Sequence, residues 1–196
     1  MELMEERSML EYGAKLQVDA PAGGFDGMLA SALPTGVPGK ELVYGVLVAH
    51  GAPLAAWGPC ENLGLEEALA LGLGLAHEDA TLLRTLPVVF ARNAARLNWK
   101  LLQQRAQALG YEAELGLLLE LTSRLTGHQH LAALAKGLEH ARPTQPRHFF
   151  KPRGMFDRMR TEQGTPEVAR RWGFLMNMPE DGFRTLLLKH NAQVQR

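Results

Sequence analysis

From Gly64 to about residue 142 the apolar positions of the chain recur at helical spacing. LEEALALGLGLAHED opens the series with two Glu in a first turn, where the helix dipole favours them. Its two interior glycines, Gly72 and Gly74, cost about 1 kcal/mol each against Ala and mark a place for another helix to approach closely. In DATLLRTLPVVFARN, Leu82, Leu83, Leu86, Val89 and Phe90 share one face and Asp79 is placed to cap the start. Pro87 removes one backbone donor, so a kink or split is expected there. LNWKLLQQRAQALG predicts the cleanest helix, with Asn98 as cap, Leu102, Ala106 and Leu109 on one face and Gly110 as a left-handed stop. YEAELGLLLELTSRLTG follows at once. Its Leu115, Leu118, Leu119, Thr122 and Leu125 form a stripe that Leu117 and Leu121 widen, which predicts a central helix buried nearly all round. HLAALAKGLEHAR completes the series, and the short glycine-containing turns predict antiparallel neighbours.

Elsewhere the period is less clear. The stretch to about residue 40 mixes SMLEYGAKLQV with the turn-rich APAGGFDG and ALPTGVPGK, so irregular structure with a short helix from Asp26 to Leu33 is expected. ELVYGVLVAHGAPLAAWGP reads as a short β-hairpin near residues 41–58, with a buried helix as its rival, since a short apolar run fits either. After Arg142, PTQPRHFFKPRG holds three prolines and predicts an extended connector leaving the helical body. MFDRMRTEQG is expected to add a single turn. TPEVARRWGF then has the form of a helix start, with Thr165 as cap and Pro166 in the first helical position. PEDGFRTLLLKHN closes the chain with Phe183, Leu186, Leu187 and His190 on one face.

These elements define a mainly α protein, a helical bundle or irregular helical array. Its expected organisation is an N-terminal irregular or small subdomain over residues 1–60, a helical core over 61–142, a basic Pro/Phe-containing connector over 143–164 and a helix pair over 165–196. With 196 residues and 46% hydrophobic content the chain suffices for a core. No basic region leads into a hydrophobic run near the start, and charge or His interrupts every long apolar stretch, so a signal peptide, a membrane span and a membrane partner are not expected. A cytoplasmic location follows as an expectation. Cys60, the one cysteine, has no local ligand set and reads as an incidental thiol.

Charge changes the picture more than composition does. The net charge is zero, but residues 1–140 carry 10 Lys/Arg against 16 Asp/Glu while residues 141–196 carry 11 against 5. The most concentrated part is RHFFKPRGMFDRMR, Arg147 to Arg160. One reading makes it a nucleic-acid contact, in which Arg147, Lys151, Arg153, Arg158 and Arg160 meet phosphates while Phe149, Phe150 and Phe156 stack on bases. A second makes the rings anchors of an arm lying in grooves of the helical body, its arginines solvated or paired to acidic surface. A third docks the arm on an acidic, apolar-grooved protein, with Arg170 and Arg171 of the following helix beside it. TPEVARRWG also resembles the first helix and turn of small bacterial DNA-binding domains. FLMNMPEDG, however, separates Gly173 from Phe183 by more than a 3–4-residue turn, and the second helix opens with acidic residues.

The pairing of ATLLRTLPVVFARN with LNWKLLQQRAQALGYEAELGLLLELTSRLTG, 45 residues in all, resembles helical segments of bacterial nucleotidyltransferase-type toxin and antitoxin proteins. There a helix beginning Leu-x-Trp, here Leu97-Asn98-Trp99, leads into one carrying Leu-Gly, here Leu115-Gly116. Those enzymes also need a Gly-Ser or Gly-Gly turn followed by paired acidic residues for metal and triphosphate. Here Gly23-Gly24 is followed by Asp26 alone and then by the uncharged run Gly27 to Gly39. The resemblance therefore implies a non-catalytic relative or partner of such an enzyme.

No phosphate loop, zinc-protease helix, EF-hand loop or nucleophile elbow is present. His128 and His130 with His140 have poor spacing for a metal, and His50 and His77 lack an evident nucleophile partner. Arg142 and His148 are similar to the Arg and His of some helical ribonucleases, but Pro143 and Pro146 break the helical register that pair requires. The expected function is accordingly a non-enzymatic bacterial binding or regulatory protein, antitoxin-like or adaptor, without cofactor, catalytic residues or metal. Its partner would be a protein, including a co-encoded toxin or enzyme; nucleic acid is the alternative partner, an unrecognised enzymatic site a further reading, and self-association is compatible with all of them.

Overall fold

The computed structural model describes residues 39–55 and 63–190, which belong to one compact unit, Pro38–Arg196. The helix expected from Asp26 to Leu33, and Cys60, lie outside the described residues. The described chain is an irregular helical array. Its helices are α1 (Lys40–Ala49), α2 (Leu65–Leu75), α3 (Ala80–Asn93), α4 (Trp99–Leu109), α5 (Glu112–Thr126), α6 (Gln129–Gly137), α7 (Met155–Gly164), α8 (Glu167–Arg171) and α9 (Glu180–His190). A 3-10 turn, Glu139–Ala141, follows α6, and two short strands, β1 (Arg147–His148) and β2 (Phe174–Leu175), pair in parallel.

Helix α5 is the centre. Its leucine stripe meets α3 on one side and α6 on the other, and α4 and α8 also pack against it. Leu115, Leu117, Leu118 and Leu119 are fully buried, as a helix apolar nearly all round requires. Each such leucine contributes about 1.5–3 kcal/mol by leaving water. Helix α2 lies beside α4, α1 and α3, and α9 covers α3.

The stretch read first as a hairpin forms helix α1 over Lys40–Ala49 instead. Val43, Tyr44, Val46 and Leu47 recur at i, i+1, i+3 and i+4, so a helix buries all four against α2, whereas a strand would send neighbours to opposite faces. Packing overrides the β preference of the valines. Helix α3 runs unbroken through the buried Pro87, so the split expected there does not occur. Asn98 caps α4 by accepting from Leu101 N, and Gly110 ends it in the left-handed region, φ 74°, as its sequence predicts.

The glycines of α2 have a different use from the one expected. A Cβ at Gly72 would sit at ordinary contact distance, 3.5 Å, from Leu47 and Leu86 methyls. A Cβ at Gly74 would lie 2.6 Å from the Tyr111 ring, so the close approach is made by an aromatic side chain and not by a helix. The two positions should respond oppositely. Gly72→Ala is expected to raise stability by about 0.5–1 kcal/mol through helix propensity, and Gly74→Ala to lower it by about 1–3 kcal/mol through overpacking, both read from urea unfolding.

Asp79 ties α1 to α3. One carboxylate oxygen caps α3 by accepting from Thr81 N at 2.7 Å and Leu82 N at 3.1 Å, and the other accepts from the Tyr44 hydroxyl of α1 at 2.5 Å. Burial alone would raise its pKa, but the Tyr44 hydroxyl, the two amides and the charge of Lys40 outweigh that and hold the carboxyl below its ordinary range. Burial, then the Asp79 contact, pushes the Tyr44 hydroxyl upward. Because the folded-state pKa of Asp79 is depressed, its stabilisation is present above the unfolded-state value near 3.9 and is lost as pH falls through the folded-state value. Asp79→Ala should cost about 1–2 kcal/mol in urea unfolding at pH 7, and the difference from the parent should shrink as the solution is acidified below about pH 4.

Candidate docking interface

Beside the packing of α9 on α3, two carboxylates of α5 bind the C-terminal third to the body. Glu114 and Glu120 each hold an arginine from this segment. Glu120 pairs with Arg171 and accepts from the indole N–H of Trp172 at 2.7 Å. Arg142 lies over the same indole, 4.8 Å from its centroid. Trp172 is fully buried, its ring against the backbone of α5 at Gly116.

Glu114 is 1% exposed and accepts from Arg147 at 2.7 Å. His77 completes the cluster, with Nε2 3.1 Å from the same Glu114 oxygen, Oε1, and Nδ1 2.6 Å from the Phe149 carbonyl oxygen. Each ring nitrogen faces an oxygen of another element, so the ring bridges α5 and the Phe149 backbone. The ring also stacks on Phe149, centroids 4.3 Å apart. With both nitrogens engaged within the chain, His77 is a clasp that ties the end of α2 to α5 and to the connector.

The connector is extended, as its prolines require, but it does not leave the body. Arg147 N donates to Gly173 O and Phe149 N to Leu175 O, both at 2.9 Å. MFDRMRTEQG forms the ten-residue helix α7 where a single turn was expected. Gly154 interrupts the connector before it, and the Asp157 carboxylate accepts from Arg153 N at 2.9 Å at the positive end of the helix. Thr165 is not the cap of α8. Its hydroxyl donates to Thr161 O and accepts from Met176 N, joining the end of α7 to β2, and Pro166 stands outside the helix it was expected to begin. The segment after Gly173 is the strand β2 followed by the buried Met176 and Met178, so α8 and α9 do not form a helix-turn-helix. Arg142 and His148, far from sharing a helix, sit under the Trp172 ring and on β1.

The candidate residues divide into two groups. Arg147 and Arg171 are paired with α5, and Arg170 donates to the carbonyls of Thr165 and Glu162. Phe149 is 2% exposed, packed among His77, Phe150 and Phe174, and Phe150 is half-buried. These side chains hold the segment in place. Lys151, Arg153, Phe156, Arg158 and Arg160 are exposed, and among the described residues no acidic side chain pairs with the four cations. Helix α7 adds two residues that the sequence reading passed over. Met155 is 78%, Phe156 84% and Met159 49% exposed, and their i, i+1, i+4 spacing puts them on one side of the helix. That spacing was present in MFDRMR, but it carries meaning only once the segment is known to be helical.

Among the described residues no three His, Cys, Asp or Glu side chains are grouped to hold a metal ion, and no helix is long and apolar enough to cross a membrane. Comparison with known proteins found no matching family model, no matching curated protein and no matching solved structure.

The clasp is directly testable. Glu114→Ala should cost about 1–3 kcal/mol in urea unfolding, because it leaves the Arg147 and His77 donors without their acceptor. Limited proteolysis should then cut within residues 143–154 at protease levels that leave the parent chain intact.

Proposed function

We propose that the protein is a non-enzymatic binding protein, antitoxin-like or adaptor in character, that docks a partner protein on the exposed face of α7. The observation that carries this reading is the exposure of Met155, Phe156 and Met159 on a helix that gives only Thr161 to the interior. An exposed aromatic ring flanked by thioethers is a contiguous apolar patch of the kind that marks interaction surfaces. Phe supplies an anchor, Met adapts to an irregular groove and Arg supplies rim hydrogen bonds. The mode is a helix laid into a groove. Lys151, Arg153, Arg158 and Arg160 around the patch call for acidic residues on the partner's rim, and the same charges oppose the pairing of two copies face to face.

Nucleic acid fits this face less well. Asp157 and Glu162 interrupt the cations of α7, and Phe149, one of the rings that stacking would use, is buried. Arg147, Arg170 and Arg171 are already engaged with the protein's own carboxylate and carbonyl oxygens.

The test is capture from an extract of the native cells by the tagged full chain, with Phe156→Ala and Lys100→Ala compared. A protein retained by the parent and by Lys100→Ala, but reduced about tenfold or more by Phe156→Ala, supports the reading, given an acidic surface on the captured protein. The melting temperature should be unchanged, since the Phe156 ring is largely in solvent. Capture indifferent to Phe156 sinks the α7 site. Tight binding of oligonucleotides at about 50 mM salt that collapses near 200 mM and needs Arg158 and Arg160 would move the protein to the nucleic-acid class.

A further inference from the structure

The chain's described methionines fall into two environments. Met176 is 1% and Met178 8% exposed, built into the segment that β2 begins. Met155 and Met159 are 78% and 49% exposed, one helical turn apart on α7 with Phe156 beside them. Thioether oxidation follows access to solvent, so a peroxide distinguishes sharply between the two pairs. The apolar face of α7 consists of little else than these thioethers and one ring.

We propose that Met155 and Met159 form an oxidation site that turns two of the three apolar side chains of the α7 face polar, with a peroxide as the oxidant. In each event a sulfur lone pair attacks one peroxide oxygen. An S–O bond forms, the O–O bond breaks and the second oxygen leaves as water after taking up the protons, so sulfur is oxidised and the peroxide reduced by the same electron pair. The product carries a polar, chiral sulfoxide where a flexible apolar group stood, and methionine sulfoxide reductases return it to the thioether. The charged surround and the Phe156 ring do not change, so the reaction removes the thioether part of the apolar face and leaves its electrostatic component intact. Its consequence for partner binding rests on the docking reading above, whereas the site itself does not.

The full chain is titrated with hydrogen peroxide and its peptides are weighed. Met155 and Met159 should gain oxygen at about tenfold lower peroxide than Met176 and Met178, and retention on a hydrophobic-interaction column should fall in step. The double variant Met155→Leu, Met159→Leu should keep its retention through the same treatment, which separates the α7 pair from methionines outside the described residues. Oxidation of Met176 and Met178 alongside the α7 pair overturns the proposal, as does an equal loss of retention by the double variant. For a protein whose capture depends on Phe156, the oxidised chain should hold about tenfold less and regain it after reductase treatment. Equal capture before and after oxidation overturns the regulatory part. If the unoxidised chain captures nothing, the docking reading fails, and the mass and retention measurements still decide the oxidation site.

Discussion

The placement of α8 and β2 depends on the contact between Trp172 and the backbone of α5 at Gly116. A Cβ at that position would overlap the indole, so the ring lies against the helix only because residue 116 has no side chain. The contact then recruits polar partners. Glu120, one turn further along from Gly116, accepts from the indole N–H and pairs with Arg171, while Arg142 lies over the ring. A large buried aromatic with its single donor satisfied is the anchor about which α8 and β2 are placed.

From that anchor the path to α7 is short. Gly173, at φ 73°, turns the chain from Trp172 into β2, and β2 pairs with β1 and so fixes Arg147 and Phe149. Those two residues reach the second carboxylate of α5 through Arg147 and through His77, whose ring bridges Glu114 and the Phe149 carbonyl. Glu114 is a costly residue to bury, and its contacts to Arg147 and His77 converge on one oxygen, Oε1, while Oε2 has no partner among the described residues. Together the Trp172 contact and the Glu114 clasp hold both ends of the segment that presents α7.

Basic residues of this region therefore serve two purposes that composition cannot separate. Arg147, Arg170 and Arg171 neutralise or satisfy oxygens of the chain itself, which is the internal complementarity that an acidic body and a basic tail allow. Lys151, Arg153, Arg158 and Arg160 are left facing solvent around an apolar strip. The rings divide the same way, Phe149 into the core and Phe156 into water. A face of this kind, exposed and uncovered within the described chain, is the physical basis of the docking proposal.

The helical series from α2 to α6 was legible because local rules decide it: a 3.6-residue apolar period, Asp79 and Asn98 as caps, and Gly110 as a left-handed stop act within a few residues of themselves. Residues 41–49 were ambiguous for the opposite reason, since their run of Val and Leu suits either backbone until α2 offers a surface to cover. Thr165 looked like a cap, but its hydroxyl is claimed by Thr161 and Met176, the latter eleven residues away. The concentration of cations and rings between Arg147 and Arg160 could be read from the sequence alone. Which of them would be buried, and which left to solvent, depended on groups distant in the chain, Glu114, 33 residues before Arg147, and His77 and Phe174 around Phe149, which only tertiary packing brings together.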